Sequence, residues 1–561
     1  MDNILFEKSM EESTSESSPF SRREMVKIKD MNTAGNYSSN TSSFETVTLS
    51  NGGKWCDYTE GYITLPVVTV ISAPGVDWTV GSVKDTDYLL ALKNSNLNLI
   101  NSCQIDYGNR SVVQSTDHIN SYLIFKQHTE MSEQDQKLHG PTIGYHKDNS
   151  KSWYYDNVNG VCNNGCAPLA SLVPTRLTEI NIGFLNRCKT THSLSDNLRG
   201  VHSIFGDATS SNIKQSNRSY IVNATTHKAY YYNVIIRLKD LPLFRSFPAL
   251  LKGGNFKINL TLNQCEFSFS TGASLGNMEF QPNTFNGKMT NPVMVSSAVV
   301  KIIGTDSGGA TIDEIVPSGS ALLPLSKAYT VSVNIARPQF ATHQQLNVAF
   351  HQEQNCELHV PVYDLKPAFE SRYLAQDQKR ITYNEVLLTV LSNKTAGSTF
   401  NDLITNGIKH LRRLIIMPTI ASSGNGTGTV NPRLSCFDSC PSTCSPYILE
   451  NFQVQVANQN IYSNAINYSY DMFLQEMNGK YGLESSIFPG VSSSMISLQD
   501  YIENYGYIVV DLKRKYTEDD STPLSIQISG RLKSLKNMDF YCFIETEKTM
   551  TISLATGQRL D

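Results

Sequence analysis

The sequence predicts an all-β chain of two β-sandwiches in tandem, and three observations carry that prediction. Short apolar runs alternate with polar residues at period two, only 17% of the 561 residues are charged, and strand patterns recur in the same order in the two halves. The charged share lies below the usual figure of about 25%, with Ser, Asn, Thr, Tyr and Phe prominent instead. All-β domains run to roughly 200 to 250 residues, so the length admits two of them.

Residues 1–50 carry few large apolar side chains among many Ser, Glu, Asn and Thr. Such a segment buries too little surface to offset the entropy of ordering, so it is expected to be a flexible N-terminal arm. Its acidic start and missing apolar stretch are unlike a signal peptide, and a secretory route is not expected. From Trp55 onward strand and turn signals alternate. Phe256–Leu262 has strict period-two alternation: Phe256, Ile258, Leu260 and Leu262 point one way, Lys257, Asn259 and Thr261 the other. Tyr329–Ile335 and Leu524–Ile528 follow the same rule, each a strand with one dry face. Leu65–Ile71, Leu414–Met417, Tyr507–Val510 and Phe540–Ile544 are short, nearly continuous apolar runs, the pattern of strands covered on both faces. Helices are few: Tyr470–Met477, and Ser497–Tyr505 with Ser497 as cap and Asp500 at the third helical position.

The internal repeat is ordered. Ser102–Val113 is echoed by Asn451–Tyr462, aligning Gln104 with Gln453, Ile105 with Val454, Asn109 with Asn458 and Val112 with Ile461. Both read as strand, polar turn, strand. Val234–Lys239 is echoed by Ile508–Lys513, and each precedes an alternating strand, Phe256–Leu262 and Leu524–Ile528. Ile63–Val68 resembles Leu358–Tyr363, a candidate first strand for each unit. Gly304–Ser320 is Gly/Ser-rich and reads as the junction. The expected organisation is therefore an arm at 1–50, a first jelly roll at 51–305 and a second at 306–561: a double jelly roll with long loops and a few short helices.

Composition and motifs bound the function. With 47 Lys+Arg against 51 Asp+Glu the net charge is −4, which does not suit a general nucleic-acid binder. No run approaches the roughly 18 apolar residues of a membrane helix. Eleven scattered cysteines are too sparse for a disulfide framework and read as reduced thiols. The glycosylation sequons at Asn36, Asn217, Asn259 and Asn467 carry no weight without secretion.

Thr305–Gly309 has the look of a serine nucleophile's surroundings, but no partner His and Asp signature accompanies it, and it reads as linker. Cys436, Cys440 and Cys444, with Cys162 and Cys166, are the nearest approach to a zinc site and read as unligated thiols. Glu518–Asp520 reads as a solvated turn rather than half of a glycosidase carboxylate pair. Lys409–Arg413, the most basic patch, reads as a surface loop or subunit contact. Phosphate-loop, His-Glu-x-x-His, Gly-x-Ser-x-Gly and dinucleotide motifs are missing, so neither catalytic residue, cofactor nor metal is expected.

The chain resembles the double jelly-roll major capsid proteins of Polintons and adintoviruses, with virophage capsid proteins and adenovirus hexon as distant relatives. The resemblance is carried by Leu358–Leu374, Ile408–Pro418, Ser445–Val456, Tyr501–Lys515, Ser525–Gly530 and Met538–Gly557, and in the first half by Leu97–Gln127 and Val234–Gln264. These cover about half of the chain and are strand and turn texture without a catalytic residue. The chain departs from the family pattern in its Ser-rich arm and at Cys436, Cys440 and Cys444, where Ser, Ala or Pro is usual. The resemblance implies a virion protein made and assembled in the host cytoplasm or nucleus. It implies homotrimers of six jelly rolls that tile an icosahedral shell around double-stranded DNA, contacting penton or minor capsid proteins without sequence-specific DNA binding. Long loops at 129–228 and 265–325 would wrap neighbours, since structureless loops beyond about 12 to 15 residues usually bind something. The alternative reading is a jelly-roll carbohydrate-binding or host-attachment protein.

Overall fold

The computed structural model describes residues 19–31, 41–51, 53–76, 89–148, 153–155, 162–164, 182–191, 219–222, 227–271, 278–281, 290–296, 304–305, 311–312, 327–335, 356–425, 431–436, 444, 447–478, 496–515, 523–534 and 536–560. The first sandwich is built from β1 (Phe20–Lys29), β2 (Thr41–Glu45), β3 (Tyr62–Ser72), β4 (Ile100–Tyr107), β5 (Arg110–Val113), β6 (His227–Arg237), β7 (Phe256–Leu262) and β8 (Glu357–Leu365). Their antiparallel ladders give the orders β1-β8-β3-β6 and β2-β7-β4-β5.

The second sandwich follows with β9 (Gln378–Lys394), β10 (Thr399–Ile408), β11 (Leu411–Ile420), β12 (Ile448–Val456), β13 (Gln459–Asn460), β14 (Ile508–Asp511), β15 (Leu524–Lys533) and β16 (Met538–Ser553). Its orders are β9-β16-β11-β14 and β10-β15-β12-β13. That is the first unit's order with every strand number raised by eight. Each unit is an eight-stranded jelly roll.

The repeats map onto this order. Ser102–Val113 and Asn451–Tyr462 are the matching β4–β5 and β12–β13 hairpins, while Val234–Lys239 and Ile508–Lys513 are β6 and β14, each running into a 3-10 turn. The alternating strand β7 buries every second side chain, as expected. Ile63–Val68 and Leu358–Tyr363 are a different matter. They do not open two units but lie side by side, with Leu358 opposite Ile63 in the β8–β3 ladder. Equivalent apolar texture arises because both are inner strands of one sheet.

The division of the chain is therefore corrected at two points. Residues 20–29 and 41–45 of the expected arm are strands β1 and β2. In β1 the half-buried side carries only alternate residues such as Val26 and Ile28 between charged neighbours, and among the described residues β1 pairs on one side alone, with β8. Charged, alternating composition is that of an edge strand, and in an averaged reading it passes for disorder. Residues 1–18 lie outside the described residues. The second correction concerns the junction. Ala328–Ile335 and Glu357–Leu365 both pair with β3, the former with Val67–Ser72 and the latter with Tyr62–Thr64. Ala328–Ile335 and Glu357–Leu365 thus belong to the first sheet, and Gly304–Ser320 precedes both in the chain.

Parts of the long loops fold back on their own chain. Cys265–Thr271 pairs with Ala328–Ile335, and Val293–Ser296 pairs with Leu89–Leu92. Within 129–228 the chain forms α2 (Glu133–Ile143), which follows α1 (Ile119–Glu130). The expected helices are present as α3 (Tyr470–Asn478) and α4 (Leu498–Glu503), and Ser497 and Asp500 form a reciprocal capping box on α4.

In the sheet β9-β16-β11-β14 the strands β16, β11 and β14 are dry on both faces, while β9 is the partly exposed edge. Leu414, Ile416, Val510, Phe540, Cys542 and Ile544 face their own sandwich core. The intervening Ile415, Met417, Val509, Tyr541 and Phe543 join the core of the first sandwich. This double coverage is why those strands read as continuous apolar runs. Each fully buried side chain contributes about 1.5 to 3 kcal/mol, so the second face binds the two units firmly.

Candidate functional site at the seam between the sandwiches

Helix α1 fills the seam, and ten of its residues, including Tyr122, Leu123, Ile124, Phe125 and His128, are buried. A helix buried all round lacks the apolar stripe that marks a surface helix. Its rings meet those of the second unit: Phe125 is edge-on to Tyr507 at 4.9 Å, Tyr122 lies 6.1 Å from Phe543, and His118 is edge-on to Tyr541 at 5.6 Å.

The polar contacts are equally interlocked. Thr116 Oγ1 donates to the Val386 carbonyl at 2.6 Å, Tyr383 Oη donates to the Val112 carbonyl at 2.8 Å, and Glu385 Oε1 accepts from the Gln114 amide at 2.9 Å. Lys147 reaches Asp500 at 2.6 Å, and Tyr107 Oη donates to the Gly557 carbonyl at 2.8 Å. At the centre Glu545, fully buried on β16, accepts from Tyr122 Oη at 2.7 Å. Lys126 Nζ is 3.7 Å away and Arg413 Nη1 4.0 Å. Burial pushes the Glu545 carboxyl upward, but Lys126, Arg413, the Tyr122 hydroxyl and Arg412 outweigh it and hold it below the ordinary value. Lys126 is driven down to about 8, first by burial and then by the nearby arginines, against the pull of Glu545. Asp500, burial notwithstanding, is held low by Lys147 and Ser497.

These groups act as internal struts across the seam. Among the described residues no three His, Cys, Asp or Glu side chains gather as metal ligands would. Cys436 and Cys444 are buried, and burial raises the Cys436 thiol far above its ordinary value, as it raises Cys265 to about 12. Cys440 and Cys166 lie outside the described residues, as do Asp306–Gly309 and Glu518–Asp520; Cys162 stands in a short strand paired with Trp153–Tyr155. In the Lys409–Arg413 patch Lys409 and His410 are exposed, as a surface loop would have them, while Arg412 Nη1 donates to Asn384 Oδ1 at 3.0 Å and Arg413, on the seam side, donates through Nη2 to the Met477 carbonyl at 3.3 Å. Sequence reasoning missed Tyr122, Lys126 and Glu545. A Lys four residues before Glu130 was the one local signal for α1. Among the described residues no helix is long and apolar enough to cross a membrane.

No protein-family model matches the chain, and no curated protein matches it. Solved structures do. The cryo-EM structure of the Sputnik virophage is similar at 11% identity and a TM-score of 0.50, over 98% of this chain and 89% of that one. The mavirus major capsid protein aligns at 10% identity and TM-score 0.45 over 98% and 92%, and the Faustovirus major capsid protein at 9% and 0.41 over 98% of each chain. The repeated strand order and the Sputnik likeness together identify the fold, and this chain is a double jelly roll.

Proposed function

We propose that this chain is a major capsid protein of the Polinton and adintovirus type. In this reading three copies close into a pseudo-hexameric capsomer, and capsomers tile an icosahedral shell around double-stranded DNA. The first jelly roll ends at Leu365 and the second begins at Gln378. The observation that carries the proposal is the duplication itself: two sandwiches of one strand order, locked by a seam of buried rings and paired charges. A rigid two-lobed block repeated three times presents six similar lobes, and a heterologous contact that closes at three makes a ring. The residues quoted for the family resemblance, and the fold shared with a virophage structure, support the same role. The buried, partnered state of the titratable groups suits a structural part and no catalysis. Contacts with penton and minor proteins, and residence in the virion, belong to this reading.

Native mass spectrometry of the purified chain tests it. The expected species is a trimer at three times the 62.4 kDa chain mass, forming hexagonal arrays under the electron microscope. A stable monomer that binds or turns over carbohydrate would overturn the proposal in favour of an attachment protein.

A further inference from the structure

A cleft of about 470 Å³ opens beside the seam, walled by α1, by the segment after β6 and by Asn384 and Arg412 of the second sandwich. Five cationic side chains line it: Lys126, Arg237, Lys239, Arg245 and Arg412. Three are engaged. Arg237 forms a bidentate pair with Asp240 at 2.8 Å for each bond, while Arg245 and Lys126 share Glu130. Asp135, the remaining carboxylate on the wall, is exposed and accepts from Ser132 Oγ at 2.8 Å.

The other two cations are less fully answered, one from each sandwich. Half-buried Lys239 makes no ion pair or hydrogen bond with any described residue. Arg412 has Asn384 as its hydrogen-bond acceptor, and the nearest carboxylate, Glu547, stands 3.9 Å away and is held by Lys513 at 2.7 Å. Five cations thus face three carboxylates on the wall, Glu130, Asp135 and Asp240, and after burial Arg245 and Arg412 are among the groups that drive the Lys126 ammonium down to about 8. A monoanion would answer one of these two cations; a chain of phosphates answers both. Guanidinium forks and ammonium point charges are the usual partners of phosphate oxygens.

We propose that the cleft binds a small polyphosphate, with Lys239 and Arg412 each taking a phosphate and the ligand bridging the two jelly rolls. The volume of this open cleft suits a free molecule such as a nucleoside triphosphate or inorganic tripolyphosphate rather than a nucleic-acid duplex.

The test uses the full chain and sodium tripolyphosphate, read by isothermal calorimetry and by the shift in Tm, against sulfate and chloride at matched ionic strength. Saturable binding with a rise in Tm is expected. Lys239→Gln and Arg412→Gln should each weaken binding by about tenfold or more, the loss of one charge-assisted contact, and the double variant should abolish it. Lys533→Gln, which removes an exposed pair with Glu450 far from the cleft, should bind normally. Far-ultraviolet circular dichroism without ligand confirms that the variants fold. An equal Tm rise in sulfate, undiminished binding by the double variant, or binding of a DNA duplex but not tripolyphosphate would each overturn the inference. Capsomer formation is read separately by native mass, so a trimer that ignores tripolyphosphate refutes this inference alone.

Discussion

Glu545 and Arg433 are two buried charges with opposite prospects on substitution. Glu545 has a hydroxyl donor in Tyr122 and ammonium and guanidinium neighbours in Lys126 and Arg413. Removing its charge takes the shared carboxylate from half-buried Lys126 and Arg413, and breaking a buried pair from one side costs roughly 3 to 5 kcal/mol. Glu545→Gln keeps the volume, so a loss of about 3 kcal/mol in urea denaturation is expected. Arg433 is 2% exposed, and among the described residues none of its three guanidinium nitrogens has a hydrogen-bond partner. Its compensation is the face of Tyr541, 3.7 Å from the guanidinium carbon. A desolvated cation–π contact is worth about 2 kcal/mol, less than the several kcal/mol that burying an ion costs. Arg433→Met should therefore leave the urea midpoint unchanged or raise it. A loss above about 2 kcal/mol would show that an anion answers Arg433 in solution.

At the scale of elements the two hairpins provide an internal comparison. The β4–β5 turn uses Gly108 and Asn109 at φ 58° and 64°, and the β12–β13 turn uses Ala457 and Asn458 at φ 48° and 64°. Two consecutive residues at positive φ between paired flanks make the turn that suits strand twist, and Gly or Asn fits it best. Asn458 is well placed; Ala457 is strained where its counterpart is Gly. Ala457→Gly is expected to raise stability by about 0.5 to 1 kcal/mol, and Gly108→Ala to lower it by a similar amount, as shifts in Tm. These hairpins were legible because their period and turn chemistry are local. The dry strands of the second unit were legible because coverage on both faces leaves a continuous apolar run. Helix α1 was not, since a helix buried all round loses its period. Strand β1 was hidden by its edge charges, and the seam charges lie hundreds of residues apart in the chain, beyond any spacing rule.

At the scale of the molecule the seam sets the response to acid, and two kinds of group begin to act at different pH. His128 on α1 is fully buried, with Nδ1 2.6 Å from Tyr145 Oη and its ring 4.6 Å from Tyr505. Lys147, Asp500 and Arg187 are the charges facing it, and burial, reinforced by Lys147 and Arg187, drives it from 6.5 down to about 3. His118, beside Thr290, Tyr541 and Arg433, is likewise driven to about 3 by burial and then by Arg433. A depressed histidine means that the unfolded chain binds the proton first. The stability tied to neutral His118 and His128 is complete above about 6.5 and drains away as pH falls toward 3, by at most about 1.4 kcal/mol per pH unit for each. The seam carboxylates Glu545 and Asp500, also depressed, contribute fully above their ordinary values of 4.5 and 3.8 and are lost below them. Tm is therefore expected to decline already between pH 6.5 and 5, then more steeply below 4.5. His128→Gln should remove roughly half of the decline that begins at pH 6.5, His118 supplying the rest, whereas Glu545→Gln should soften only the steepening below 4.5. A profile level from pH 7 to 5 would refute the burial of neutral histidines at the seam. A decline untouched by either variant would place the acid-sensitive contacts elsewhere than in the helix that joins the two jelly rolls.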